Sequence, residues 1–230
     1  MVAEYQFILD YWFGELNGEV TRDNKQPLWF LGGADVDAEI ISQFQRWVSM
    51  AGNGELNYWS DTAHGRLALI ILLDQFPRNI YRGLNAAFRY DLLALAICKR
   101  GLALNQDAEL TAIERVFFYL PLEHSEDLED QEESVFRFDL LRKHVQLENV
   151  AVFDGFYDFA NSHFQVIREF GRFPHRNAVK GRLSTKKRTD MVTWWRLTIR
   201  AISVRFFCIK KAFMNEGFLL CRYYNKSLSQ

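Results

Sequence analysis

The chain has little of what interrupts or cross-links a fold. Four prolines and 13 glycines among 230 residues leave few breakpoints, which favours long helices. The three cysteines, Cys98, Cys208 and Cys221, are odd in number and far apart. They fit neither a disulfide framework nor a zinc pattern, and they point to a reducing setting, the cytoplasm. Uninterrupted apolar runs reach seven residues at most, as over residues 67–73. A helix needs about 20 apolar residues to cross a bilayer, so no membrane span is expected. The first residues carry Glu4 and Asp10 and no basic residue, unlike a secretory signal. There is no Gly-rich phosphate loop and no Ser nucleophile elbow. Up to residue 171, no stretch of useful length alternates with period two.

What is present is an ordinary globular composition, rich in phenylalanine. Apolar residues make up 49%, aromatics 15% and charged residues 25%, which excludes a disordered or collagen-like chain and allows a sizeable core. The net charge of −1 conceals a split. Residues 181–230 hold 11 basic residues against two acids, Asp190 and Glu216, whereas the first 180 hold 17 basic and 27 acidic residues.

Apolar spacing predicts helices over 4–13, 35–50, 63–76, 86–100, 107–119, 126–145 and 151–170. The third is apolar nearly all round and is expected at the centre. Pro77 is expected to end or kink its helix and Pro121 to break its own, Gly101 and Gly171 to follow C-termini, and Asp107 and Ser125 to act as N-caps. Residues 17–33 and 51–62 read as loops. The architecture predicted is all-α, an antiparallel helical array with short connections. No repeat of about 34 residues of the tetratricopeptide kind is present.

Polar residues concentrate at three helix ends. Asp74-Gln75-Phe76-Pro77-Arg78-Asn79, with Arg82, and Arg172-Phe173-Pro174-His175-Arg176-Asn177 echo one another, each placing a guanidinium and an amide beside a proline. Arginine forks grip carboxylate or phosphate with two parallel bonds. Structurally, the same arginines could cap carbonyls and pair with Asp74, Glu126 or Asp127. The third stretch runs from Tyr119 to Leu128 and includes His124 and Glu126, with Gln131 beyond. His124 reads as lying before a helix N-terminus, where the dipole favours neutral imidazole. His163 lies on the last helix. These three stretches share no metal-ligand spacing, so no metal and no cofactor is expected. His64 and His144 read as surface residues and Cys98 as core.

The stretches 69–82, 119–131 and 163–185, with Trp12-Phe13-Gly14 and Trp29-Phe30 near the start, resemble the DUF924 family of uncharacterised bacterial and fungal proteins. The resemblance covers about residues 5–185. It implies a helical fold similar to tetratricopeptide arrays and importance for Asp74, Gln75, Arg78, Asn79, Arg82, His124, Glu126, Gln131, His163, Arg172, His175, Arg176 and Asn177. It implies no activity. Three readings of these residues stand side by side. A binding protein would hold a small anionic ligand through Asp74, Gln75, Arg78, Asn79, Arg82, Gln131, Arg172, His175, Arg176 and Asn177. A hydrolase-type enzyme would use His124 or His163 as base, Glu126 as acid and the arginines as oxyanion clamp. A protein-interaction scaffold would use them only to hold helices together. A small anion or a protein is the expected partner, not nucleic acid.

After Thr185 the sequence leaves the family pattern. It reads Lys186-Lys187-Arg188 and continues, basic and aromatic, to Gln230. Trp194-Trp195 must be encoded TGGTGG, which shifted by one base reads Gly-Gly. Two domains are therefore expected: residues 1–185 as the helical domain and 186–230 as a frameshifted tail outside the fold.

Overall fold

The computed structural model describes residues 3–184. Within them the fold is all-α, as the periodicity predicts: eight α-helices and one two-stranded antiparallel hairpin, β1 (Leu16–Asn17) and β2 (Val20–Thr21). The tail from residue 186, with its frameshift reading, lies outside the described residues. None of the described helices is long and apolar enough to cross a membrane.

Helix α1 (Gln6–Phe13) buries Ile8, Leu9, Trp12 and Phe13, and α2 (Ala34–Gly52) buries Ile40, Phe44 and Val48, spaced by four. Their rings meet Phe76 and Phe117. Trp12 lies 5.4 Å from Phe76 and 5.5 Å from Phe117, edge to face, and Trp29 lies 4.7 Å from Phe117. Trp29 Nε1 donates to the Trp12 carbonyl at 2.9 Å, closing the 17–33 segment onto α1.

The central helix is α3 (Ala63–Ile70), buried on every side as its composition predicts. It does not stop at Pro77. A π-turn over Ile71–Gln75 joins it to α4 (Phe76–Ile80), and the Phe76 N–H bonds to the carbonyl of Ile71. Pro77 lacks an N–H and its ring crowds the carbonyl four residues back, so the ladder widens by one residue instead of breaking. That extra residue turns Asp74 into the interior.

Helix α5 (Asp91–Ala103) runs through Gly101. Gly101 is there for space: a Cβ would lie 2.4 Å from Arg66 Cδ and 2.5 Å from Phe118 Cζ. Helix α6 (Ala112–Glu123) starts at Thr111, which forms a capping box with Glu114, so Asp107 is no cap. Asp107 instead accepts from Tyr119 Oη at 2.7 Å. Pro121 does not end α6, because Val116, Phe117, Phe118, Leu120 and Leu122 are all buried and their packing outweighs one lost backbone bond. The N-cap of α7 (Leu128–Lys143) is Asp127, while Ser125 donates to Asp130 at 2.7 Å. Helix α8 (Val150–Phe170) ends at Gly171 with φ 64°, a left-handed C-cap as predicted. Helices α6, α7 and α8 pack in chain order, with α7 along α8. His64 lies at the surface with its side chain half-exposed, 3.4 Å from Glu114, and His144 is exposed.

Candidate functional site

The π-turn, the C-terminus of α6, the middle of α8 and the turn at Pro174–Arg176 converge on one buried polar cluster. Asp74 is fully buried and accepts from His124 Nδ1 at 2.8 and 2.9 Å, from Arg78 Nη2 at 3.1 Å and from the Gln75 amide. Burial pushes its carboxyl up, but the Arg78 and His124 charges outweigh that and hold it well below the usual carboxylate range. An ionised carboxylate can only accept. His124 Nδ1 therefore carries the proton, and Nε2 carries the lone pair.

His124 lies three residues ahead of Asp127, the N-cap of α7, but it is also the C-cap of α6, so the nearer dipole end is the negative one and the dipole argument fails. Burial and the neighbouring Arg78 and Arg176 charges lower its pKa instead, against the pull of Asp74. The backbone around it is fixed twice. Gln131 Nε2 donates to the carbonyls of Leu122, Glu123 and Ser125, and Arg176 Nη1 donates to the carbonyl of His124 at 3.0 Å.

Glu123 and His163 form a second pair, Oε1 to Nδ1 at 3.0 Å. His163 Nδ1 also donates to the Phe159 carbonyl at 3.0 Å. Burial pushes the Glu123 carboxyl up to about 8, helped by the charge on Asp74. Burial holds His163 well below the ordinary histidine value. Near neutrality this is an uncharged acid beside an uncharged imidazole, 6.4 Å ring to ring from His124.

Cations gather around the Phe88 ring. Arg176 Cζ lies 4.8 Å from its centroid, Lys180 Nζ 5.4 Å and Arg78 Cζ 5.6 Å. Arg176 is only 4% exposed and also stacks on Phe173 at 4.4 Å. Asp91 accepts from Arg78 at 3.1 Å and lies 3.3 Å from Arg176. Burial and the Arg78 charge lower the Arg176 pKa to about 10, and Arg176 Nε is buried with no acceptor among the described residues. Burial and the Arg176 charge lower the pKa of His175 to about 4. With Glu126 paired to Arg182, the three cations Arg78, Arg176 and Lys180 share two carboxylates, Asp74 and Asp91.

Of the residues singled out by sequence, the cluster brings together Asp74, Gln75, Arg78, His124, His163, His175 and Arg176. Glu126 is engaged elsewhere: it accepts from Arg182 at 2.6 and 2.9 Å and from the Phe173 N–H at 2.8 Å. Asn79 and Arg82 turn to the start of α2, where both bind Asp37 at 2.6–2.8 Å. Asn177 is buried and donates to Ser184, and Gln131 is a helix cap. Arg172 is half-buried and joins no ion pair among the described residues. Sequence reading missed Glu123, Asp91, Phe88 and Lys180. Glu123 adjoins His124 and could have been weighed with it, but nothing local marks the other three. No group of three or more His, Cys, Asp or Glu among the described residues is placed to hold a metal ion.

A solved structure described as a protein of unknown function, ATU0120 from Agrobacterium tumefaciens, is similar to this chain. It is 30% identical with a TM-score of 0.68, over 82% of this chain and 96% of that one. No curated protein matches the chain. The family model described as bacterial protein of unknown function (DUF924) matches residues 8–193, and the chain belongs to that family.

Proposed function

We propose that this protein binds a small anionic ligand at the cluster of Arg78, His124, His175, Arg176 and Lys180. The observation that carries the reading is Arg176. A guanidinium this buried normally has its charge matched and its donors satisfied. Here Asp91 is shared with Arg78, and Nε has no acceptor among the described residues. An anion would complete the charge balance and accept from the forks of Arg78 and Arg176. The cytoplasm is the setting we propose, consistent with the cysteine usage.

The test is a thermal-shift and calorimetry series with phosphate and succinate, paired with native mass spectrometry of the purified protein. An anion at about 100 times its Kd should stabilise the wild type by about 2.7 kcal/mol. Arg176→Gln should abolish the shift. If no anion stabilises the wild type and none co-purifies, the residues only hold helices together, as in a scaffold.

A second reading rests on one separate observation, the bidentate Asp74–His124 pair. A carboxylate on Nδ1 fixes the imidazole tautomer and leaves Nε2 able to take a proton, the arrangement of a general base. Glu123, protonated near neutrality, would take the acid role assigned by sequence to Glu126. Screening phosphate esters and carboxylic esters against wild type and His124→Ala tests this, and equal turnover removes it.

A further inference from the structure

A groove of about 560 Å³, lined by none of the residues of the Arg176 cluster, lies between the turn at Asn57–Asp61 and α5. Its size falls in the range of small-molecule pockets. Leu93, Ile97 and Leu104 form part of the wall, and Arg66 and Arg100 bring positive charge to it.

Arg66 is only 4% exposed, yet no carboxylate lies within ion-pair distance among the described residues. Its three bonds go to uncharged oxygens: the Gln106 side-chain amide, the Ile97 carbonyl at 3.0 Å and the Ser60 carbonyl at 2.7 Å. One N–H on each Nη is left without an acceptor among those residues. Burial and the neighbouring Arg100 charge both lower the Arg66 pKa. The fold makes room for this guanidinium, because the stem passes α5 only where Gly101 has no side chain. Two arginines stand against a single acid in the lining, Asp61, which leaves one positive charge in excess.

We propose that this groove is a second binding site, separate from the Arg176 cluster, for a small amphiphilic carboxylate. Its carboxylate would lie on Arg66 and Arg100 and its apolar body along Leu93, Ile97 and Leu104. A monoanion matches the single excess charge. An apolar body matches a wall that an inorganic ion would leave exposed to water. The site shares no residue with the proposed anion cluster, so either can fail without the other.

The test is calorimetric titration of the full-length protein with octanoate, with 1-octanol and inorganic phosphate as controls. Two variants localise the binding at exposed positions on α5: Ala96→Trp, which fills the groove, and Arg100→Glu, which reverses its charge. Unchanged melting temperatures show that both variants fold. The expected result is saturable octanoate binding by wild type, weakened at least about tenfold in each variant, with neither control bound comparably. Octanoate that fails to bind, or binds both variants like wild type, overturns the proposal. Octanol binding as well as octanoate removes the role of charge, and phosphate binding equally well removes that of the apolar wall. Either result also overturns it.

Discussion

Both carboxylate oxygens of Asp74 lie within 2.9 Å of His124 Nδ1, joining the π-turn of the central helix to the C-cap of α6 across 50 residues of sequence. One of those oxygens also accepts from Arg78. The buried aspartate is thus the shared acceptor of two half-buried partners.

Asp74→Asn removes a fully buried carboxylate and leaves half-buried Arg78 with only Asp91 as counter-charge among the described residues. Breaking a buried pair from one side costs about 3–5 kcal/mol, and urea denaturation should show a loss of that size. Arg82→Ala, which removes a half-exposed pair with Asp37, should cost at most about 1 kcal/mol. Equal losses in the two variants would contradict the burial argument.

Stability should peak at a mildly acidic to neutral pH. Glu123 is raised from 4.5 to about 8, so the folded state holds a proton that the unfolded chain releases, and stability falls as pH climbs towards 8. Asp74, His124, His163 and His175 are all lowered. Their contributions are present above their unfolded values, 3.8 for the aspartate and 6.5 for the histidines, and are lost as pH drops below them. Between pH 6.5 and 8 Glu123 dominates among these groups, at roughly 1 kcal/mol per pH unit. Glu123→Gln should flatten that limb in denaturation midpoints measured across the range and leave the acid limb in place.

Gly101→Ala is a test of packing against propensity. Alanine is the better helix former by about 1 kcal/mol. The added methyl, however, meets the Arg66 stem and the Phe118 ring, and overpacking of that kind costs about 1–3 kcal/mol. A lower melting temperature is expected, and a higher one would mean that the Arg66 side chain gives way freely.

The residues from 186 onward invite a check on the gene itself. We propose that they follow a frameshift, and resequencing around codons 183–188 should show an alternate frame with acids, then glycines, then an early stop. The family match runs to residue 193, eight residues past Thr185, so a shift lying just beyond that end is the nearest competing outcome. An intact frame with no such alternative contradicts the reading.

The sequence by itself determined the helical class and most of the core, because both follow from local periodicity. Ile40 and Phe44 repeat at helical spacing, and Gly171 stands where the last helix must stop. It also pointed to Asp74, Arg78, His124, His163 and Arg176, since arginine, histidine and aspartate beside prolines at helix ends are visible in a string. Propensity misled where packing overrules it. Pro77 and Pro121 sit inside helical runs because buried neighbours outweigh a lost backbone bond, and Gly101 sits inside α5 because Arg66 needs its space. Pairing was decided only by the tertiary structure. Which acid faces which base depends on distances between elements far apart in sequence: Glu126 turns to Arg182, Asn79 and Arg82 turn to Asp37, and Glu123 faces His163. Ion pairing and desolvation act through space, and no spacing rule along the chain encodes them.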